Sequence, residues 1–119
     1  MSISKSTQFG NINISIEAIA SLAGGVVSEC YGVVGMASQK IVKDGIAELL
    51  KKENYAKGVV VRRNEGNLEL DLYIIVSHGV KISEVVHEAQ KKVKYMLEKS
   101  LELDFNTINI YVQDVKVMK

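Results

Sequence analysis

The sequence predicts a two-layer α+β domain: a mixed or antiparallel sheet with two main helices on one face. Three observations carry this. Apolar residues recur every three or four positions in two segments, about 16–31 and 83–102. Period-two alternation marks several other segments as strands. Strands and helices do not alternate strictly, because two strands meet at a tight turn around Gly66 and form a hairpin. The expected order is strand, helix, strand, short helix, hairpin, long helix, strand.

The first strand is "GNINIS", where Ile12 and Ile14 alternate with asparagines. Ser15 is placed to cap the helix that follows, with Glu17 in its first turn. Ile19, Ala23, Val26, Val27 and Cys30 form one helical stripe, expected to run to about Tyr31 and to end at Gly32 in a left-handed conformation. "VVGMAS" reads as a short strand. Asp44 then reads as a second N-cap, and Ile46, Leu49 and Leu50 as one face of a short helix. In the hairpin "VVVRRNEGNLELDLYIIV", Leu68, Leu70, Leu72, Ile74 and Val76 are expected inside. Glu69, Asp71, Tyr73, Ile75 and Ser77 are expected on the wetter face. The long helix buries Val85, Val86, Ala89, Val93, Met96, Leu97 and Leu101 under a coat of lysine and glutamate. The last strand sets Ile108, Ile110 and Val112 on one side. Its phase slips at Gln113–Asp114, which predicts a bulge or a strand end.

The 119 residues suit a single domain, 1–119, with 1–9 expected as a flexible N-terminal tail. A net charge of +1 offers no global pull toward nucleic acid or anionic lipid. One cysteine cannot form an internal disulfide, which fits a reducing compartment. No signal peptide is read at the N-terminus, and no apolar run approaches the ~20 residues that span a bilayer. The expected location is cytoplasmic, peripheral to a membrane only through a partner.

The stretch "LAGGVVSECYGVVG", 22–35, holds four of the nine glycines and invites a phosphate-cradle reading. It fails as a P-loop, since Met36 and Ala37 follow Gly35 where lysine and Ser/Thr are needed. It fails as a dinucleotide fingerprint because Gly24 and Gly25 fall inside the helical stripe, where they suggest close packing of the helix on the sheet. "GVVG" has the spacing of a KH-domain clamp, but it precedes a strand and carries valines at its centre. The glycines therefore read as a helix stop and a strand start.

Cys30 reads as a packing residue, and with His78 and His87 it makes too small a set for zinc. Glu84/Glu88 and Glu98/Glu102 share helix faces with lysines and read as solvated charge. Arg62 and Arg63 lie opposite Glu69 and Asp71, which suggests cross-strand pairing. Nothing points to a catalytic group, a metal or a cofactor, so no enzyme and no small-molecule substrate is expected. Tyr73, Ile75 and Tyr111 share the outer side of the sheet. Two readings are open for them: a protein-contact face, or a patch covered by the 41–58 segment.

The blocks "GNINISIEAIASLAGGVVSECYGVVGM", "DGIAELL", "KGVVV", "DLYIIVSHGVKISEVVHEAQKKVKYMLE" and "INIYVQDV" together resemble the alkaline-shock, or envelope stress response, proteins of Gram-positive bacteria. The resemblance covers about Gly10 to Val115. It departs at Ser83, where the family often has proline. It implies a small cytoplasmic protein of cell-envelope homeostasis, held at the membrane by a separate anchoring protein and self-associating. The expected function is a non-catalytic binding or scaffold module whose partner is an envelope-associated protein. The alternative is a small RNA-binding domain using Arg62, Arg63 and the lysines of the long helix. Nucleic acid is the less favoured partner.

Overall fold

The computed structural model describes residues 2–7, 10–41 and 47–117. Strands β1 (Ser2–Thr7) and β2 (Gly10–Ser15) pair antiparallel as a separate ribbon. Helix α1 (Ile16–Ser28) leads to β3 (Val33–Ile41), β4 (Ala47–Leu49) and a 3-10 helix (Lys52–Gly58). The hairpin β5 (Val59–Asn64) and β6 (Asn67–Ser77), helix α2 (Ile82–Leu101) and β7 (Thr107–Lys116) complete the chain.

Strand β6 is the spine of a five-stranded sheet. β7 runs parallel to it from Glu69↔Thr107 to Ser77↔Lys116. β5 pairs antiparallel with its first half and β3 with its second, and β4 is added to β3. The sheet is thus mixed. Both main helices pack on one side of it: Ile19, Ala23 and Val27 of α1 and Val85, Ala89, Val93 and Leu97 of α2 share one buried cluster with Leu70, Leu72, Ile74 and Val76 of β6. This is the two-layer arrangement that the periodicities predict.

Local chemistry explains most boundaries. Ser15 Oγ accepts the Ala18 N–H at 3.1 Å and caps α1, a contact worth about 1 kcal/mol. The helix ends at Ser28, three residues before Tyr31, because the chain must turn to deliver Val33 to the sheet. Gly32 makes that turn at φ +84°. The hairpin turn places both Glu65 (φ 51°) and Gly66 (φ 85°) in the left-handed region, the geometry that matches strand twist. The slip foreseen in the last strand is a bulge: Ile74 faces Val112 but Ile75 faces Asp114, leaving Gln113 as the extra residue.

Four expectations are corrected. Residues 2–7, read as part of a tail, form β1. The short helix over "GIAELLKK" is absent at 47–49, which form β4, with Leu49 exposed and Leu50 buried. Pairing with β3 decides this, since three residues of weak helical pattern gain more from a ladder than from one unsupported turn. Asp44 and Ile46 lie outside the described residues. Gly24 does not serve helix–sheet packing; the Tyr55 ring of the 3-10 helix lies against it, and a Cβ there would stand 2.9 Å from Tyr55 Cγ. Finally, Asp71 and Ile75 are buried rather than wet.

Candidate contact face

The helices cover one side of the sheet, so its opposite side is where side chains can meet a partner. Strand parity sends Glu69, Asp71, Tyr73 and Ile75 of β6 to this outer side. Register then fixes their neighbours: Arg62 of β5 opposite Glu69, and Asn109 and Tyr111 of β7 opposite Asp71 and Tyr73.

Tyr73 and Tyr111 stack with ring centroids 5.0 Å apart and planes 21° from parallel. Such a pair is worth about 0.5–1.5 kcal/mol beyond its area. Tyr73 is half-buried, whereas Tyr111 is 43% exposed. Burial holds the Tyr73 hydroxyl above its ordinary pKa, and the nearby Asp71 carboxylate adds to the effect.

Beside the rings lies a polar cluster. Asp71 Oδ1 accepts from Arg62 Nη2 at 3.0 Å and from Asn109 Nδ2 at 2.9 Å. The same Arg62 nitrogen stands 3.2 Å from Glu69 Oε1. Asp71 is only 7% exposed, and a carboxylate so buried needs this pairing to stay charged. The hydrogen bond to Asp71 raises the Arg62 pKa further.

The far end of the face is covered. β3 leaves the line of β6 after Met36, and Ala37 with Val34 closes over Ile75, which is 0% exposed. Gln113, freed by the bulge, donates to Ser38 O at 3.2 Å and Gln39 O at 3.1 Å and ties this arm down. Of the three residues read as a contact patch, Tyr73 and Tyr111 therefore come together at the open part, and Ile75 is core. The covering foreseen from 41–58 comes instead from β3. Sequence reasoning missed Asn109 and Gln113. Asn109 shares strand parity with Tyr111, a signal that was there to be used.

The remaining candidates fall elsewhere. Cys30 is buried, its thiol donating to Val26 O at 3.4 Å, and burial pushes its pKa up more than nearby Lys92 pulls it down. It forms part of a cleft of about 250 Å³ with Tyr31, Lys81, Glu84, Val85, Glu88 and Lys92. His78 and His87 are exposed. Among the described residues no three His, Cys, Asp or Glu side chains gather in a way that would hold a metal ion. Glu84, Glu88 and Glu98 pair with Lys81, Lys91 and Lys94 along α2, as solvated charges do. Arg62 belongs to the outer side of the sheet and the α2 lysines to the helical layer, so the two basic sets do not form one surface. No described helix is long and apolar enough to cross a membrane.

Comparison with known proteins gives the same picture. Residues 4–117 match the alkaline-shock protein 23 family, described by a cell envelope-related function. The chain belongs to this family. It is similar to the uncharacterised protein YloU of Bacillus subtilis, 51% identical over 117 residues and 98% of each chain. It is also similar to the uncharacterised Spy1614 of Streptococcus pyogenes, 46% identical over 99% of this chain and 98% of the relative. A more distant relative, the uncharacterised YqhY of Bacillus subtilis, is 31% identical over 92% of this chain and 80% of its own. No solved structure matches. The alkaline-shock family thus accounts for the whole described fold, and its envelope-related role is the functional setting in which the tyrosine face is read.

Proposed function

We propose that the protein is a non-catalytic contact module of the cell envelope. It docks onto an envelope-associated protein through the open part of the sheet, centred on Tyr73 and Tyr111. The observation that carries this reading is the stacked, part-exposed tyrosine pair on the side of the sheet that no helix covers. Tyrosine buries a large area at low entropic cost and keeps a polar tip, which suits a protein interface. The envelope-related family supplies the setting. The protein stays in the cytoplasm and reaches the membrane surface through that partner.

Photo-crosslinking tests the reading. A benzophenone side chain replacing Tyr111 is expected to trap a protein recovered with the membrane fraction. The same group replacing Tyr95, which is 59% exposed on the helical layer, is expected to trap none. Equal trapping at both positions, or none at 111, would refute it.

A further inference from the structure

We infer that the tyrosine face receives a basic side chain, arginine or lysine, from its protein partner; this rests on the contact reading above and adds the chemistry of what is bound. The argument is one of charge and geometry. Two carboxylates, Asp71 and Glu69, share a single cation, and both reach it at the same nitrogen, Arg62 Nη2. The cluster therefore keeps one uncompensated negative charge. Asp71 Oδ1 is also held by Asn109, which leaves Asp71 Oδ2 and Glu69 Oε2 without a partner among the described residues. A third carboxylate, Asp114, follows the bulge on the same side and accepts only from its neighbour's Val115 N–H, and Lys116 lies beyond it at the end of β7.

Next to this surplus stands an aromatic stack with one ring 43% exposed. The face of a tyrosine ring carries partial negative charge and attracts a cation, by about 0.5–1 kcal/mol at an exposed site. The electrostatics and the aromatic surface thus ask for the same group. A guanidinium or ammonium laid on Tyr111 would neutralise the surplus carboxylate, while an acidic or phosphate group would meet repulsion. Arg62 does not fill this role itself. The buried Asp71 holds its guanidinium to the other side of the cluster.

The test uses the full chain and two small probes, N-acetyl-arginine amide and N-acetyl-citrulline amide, followed by amide NMR shifts. The two match in shape and differ in charge. The arginine probe is expected to move residues 69, 71 and 109–111 saturably, with the citrulline probe at least about fivefold weaker. Tyr111→Phe should keep this preference, and Tyr111→Leu, with similar apolar area but no ring, should abolish it. Glu69→Gln should reduce it. Equal response to both probes, or a preference that survives Tyr111→Leu, overturns the inference. If crosslinking at 111 succeeds while the probes show no preference, the face binds protein without a cation and only this inference falls.

Discussion

Adjacent glycines in α1 should respond to the same substitution with opposite sign. Replacing a mid-helix glycine by alanine gains about 1 kcal/mol in helix propensity if the methyl group has room. At Gly25 it has room: no atom lies within 4 Å of the Cβ position, so Gly25→Ala should stabilise by about 0.5–1 kcal/mol. At Gly24 the Cβ would stand 2.9 Å from Tyr55 Cε2 and Cγ and closer still to Cδ2. Carbon contacts need about 3.5–4.0 Å, so the ring must retreat by roughly 1 Å. That retreat loosens the 3.3 Å hydrogen bond between Tyr55 and Ser28 and the packing of the 3-10 helix. Overpacking of this kind costs about 1–3 kcal/mol, which exceeds or cancels the propensity gain. The two variants should therefore differ by about 1–3 kcal/mol, or roughly 4–12 °C in Tm for a chain of this size. Thermal and urea melts followed by circular dichroism would measure it. In a Tyr55→Ala background the cost at Gly24 should vanish, because the clash has lost its partner. If both alanines shift stability alike in the native background, the ring does not lie on Gly24 and the packing described here is wrong.

Three further outcomes follow from the same geometry. Gly32→Val should cost more than about 2 kcal/mol by urea melt, because φ is +84° and the new Cβ would press on Val85 Cγ2 at 2.8 Å; a loss below 0.5 kcal/mol would mean that the turn relaxes freely. Cys30→Ser should cost about 1 kcal/mol and leave crosslinking at 111 unchanged, and the native thiol should resist alkylation at pH 8, since its raised pKa keeps it protonated there. Tyr73 should make the fold sensitive to alkali. Its folded pKa lies above the ordinary 10.0, so the stability tied to its proton is complete below that value and is lost as pH rises through the folded pKa. Tyr73→Phe should then flatten the fall in urea stability above pH 10, and an unchanged slope would assign that fall to other groups.

Much of the fold was legible because its signals are local. Ser15, Glu17 and the 3.6-residue stripe announce α1, and Glu65–Gly66 announces the hairpin. The phase break at Gln113 located the bulge to the residue. The failures share one physical origin. "AEL" at 47–49 has too few residues for a periodicity to mean anything, so its state depends on β3 being beside it. Ile75 follows strand parity correctly onto the outer side, yet it is buried, because parity reports direction and not what lies overhead. Gly24 was rightly read as a close approach, but the approaching group, Tyr55, is 31 residues away and nothing local names it.

What the sequence determined by itself is the element order, the two-layer class and the family, because periodicity, caps and block order are written in neighbouring residues. It also set Tyr73 and Tyr111 on one side of the sheet, since alternation is a property of each strand alone. Only the tertiary structure decided that these two rings stack, that Asp71 and Glu69 share Arg62, and that β3 covers Ile75 but stops short of the tyrosines. Each of those facts depends on strand neighbours and on the point where β3 leaves β6. Long-range pairing sets both, and no window of the sequence contains it.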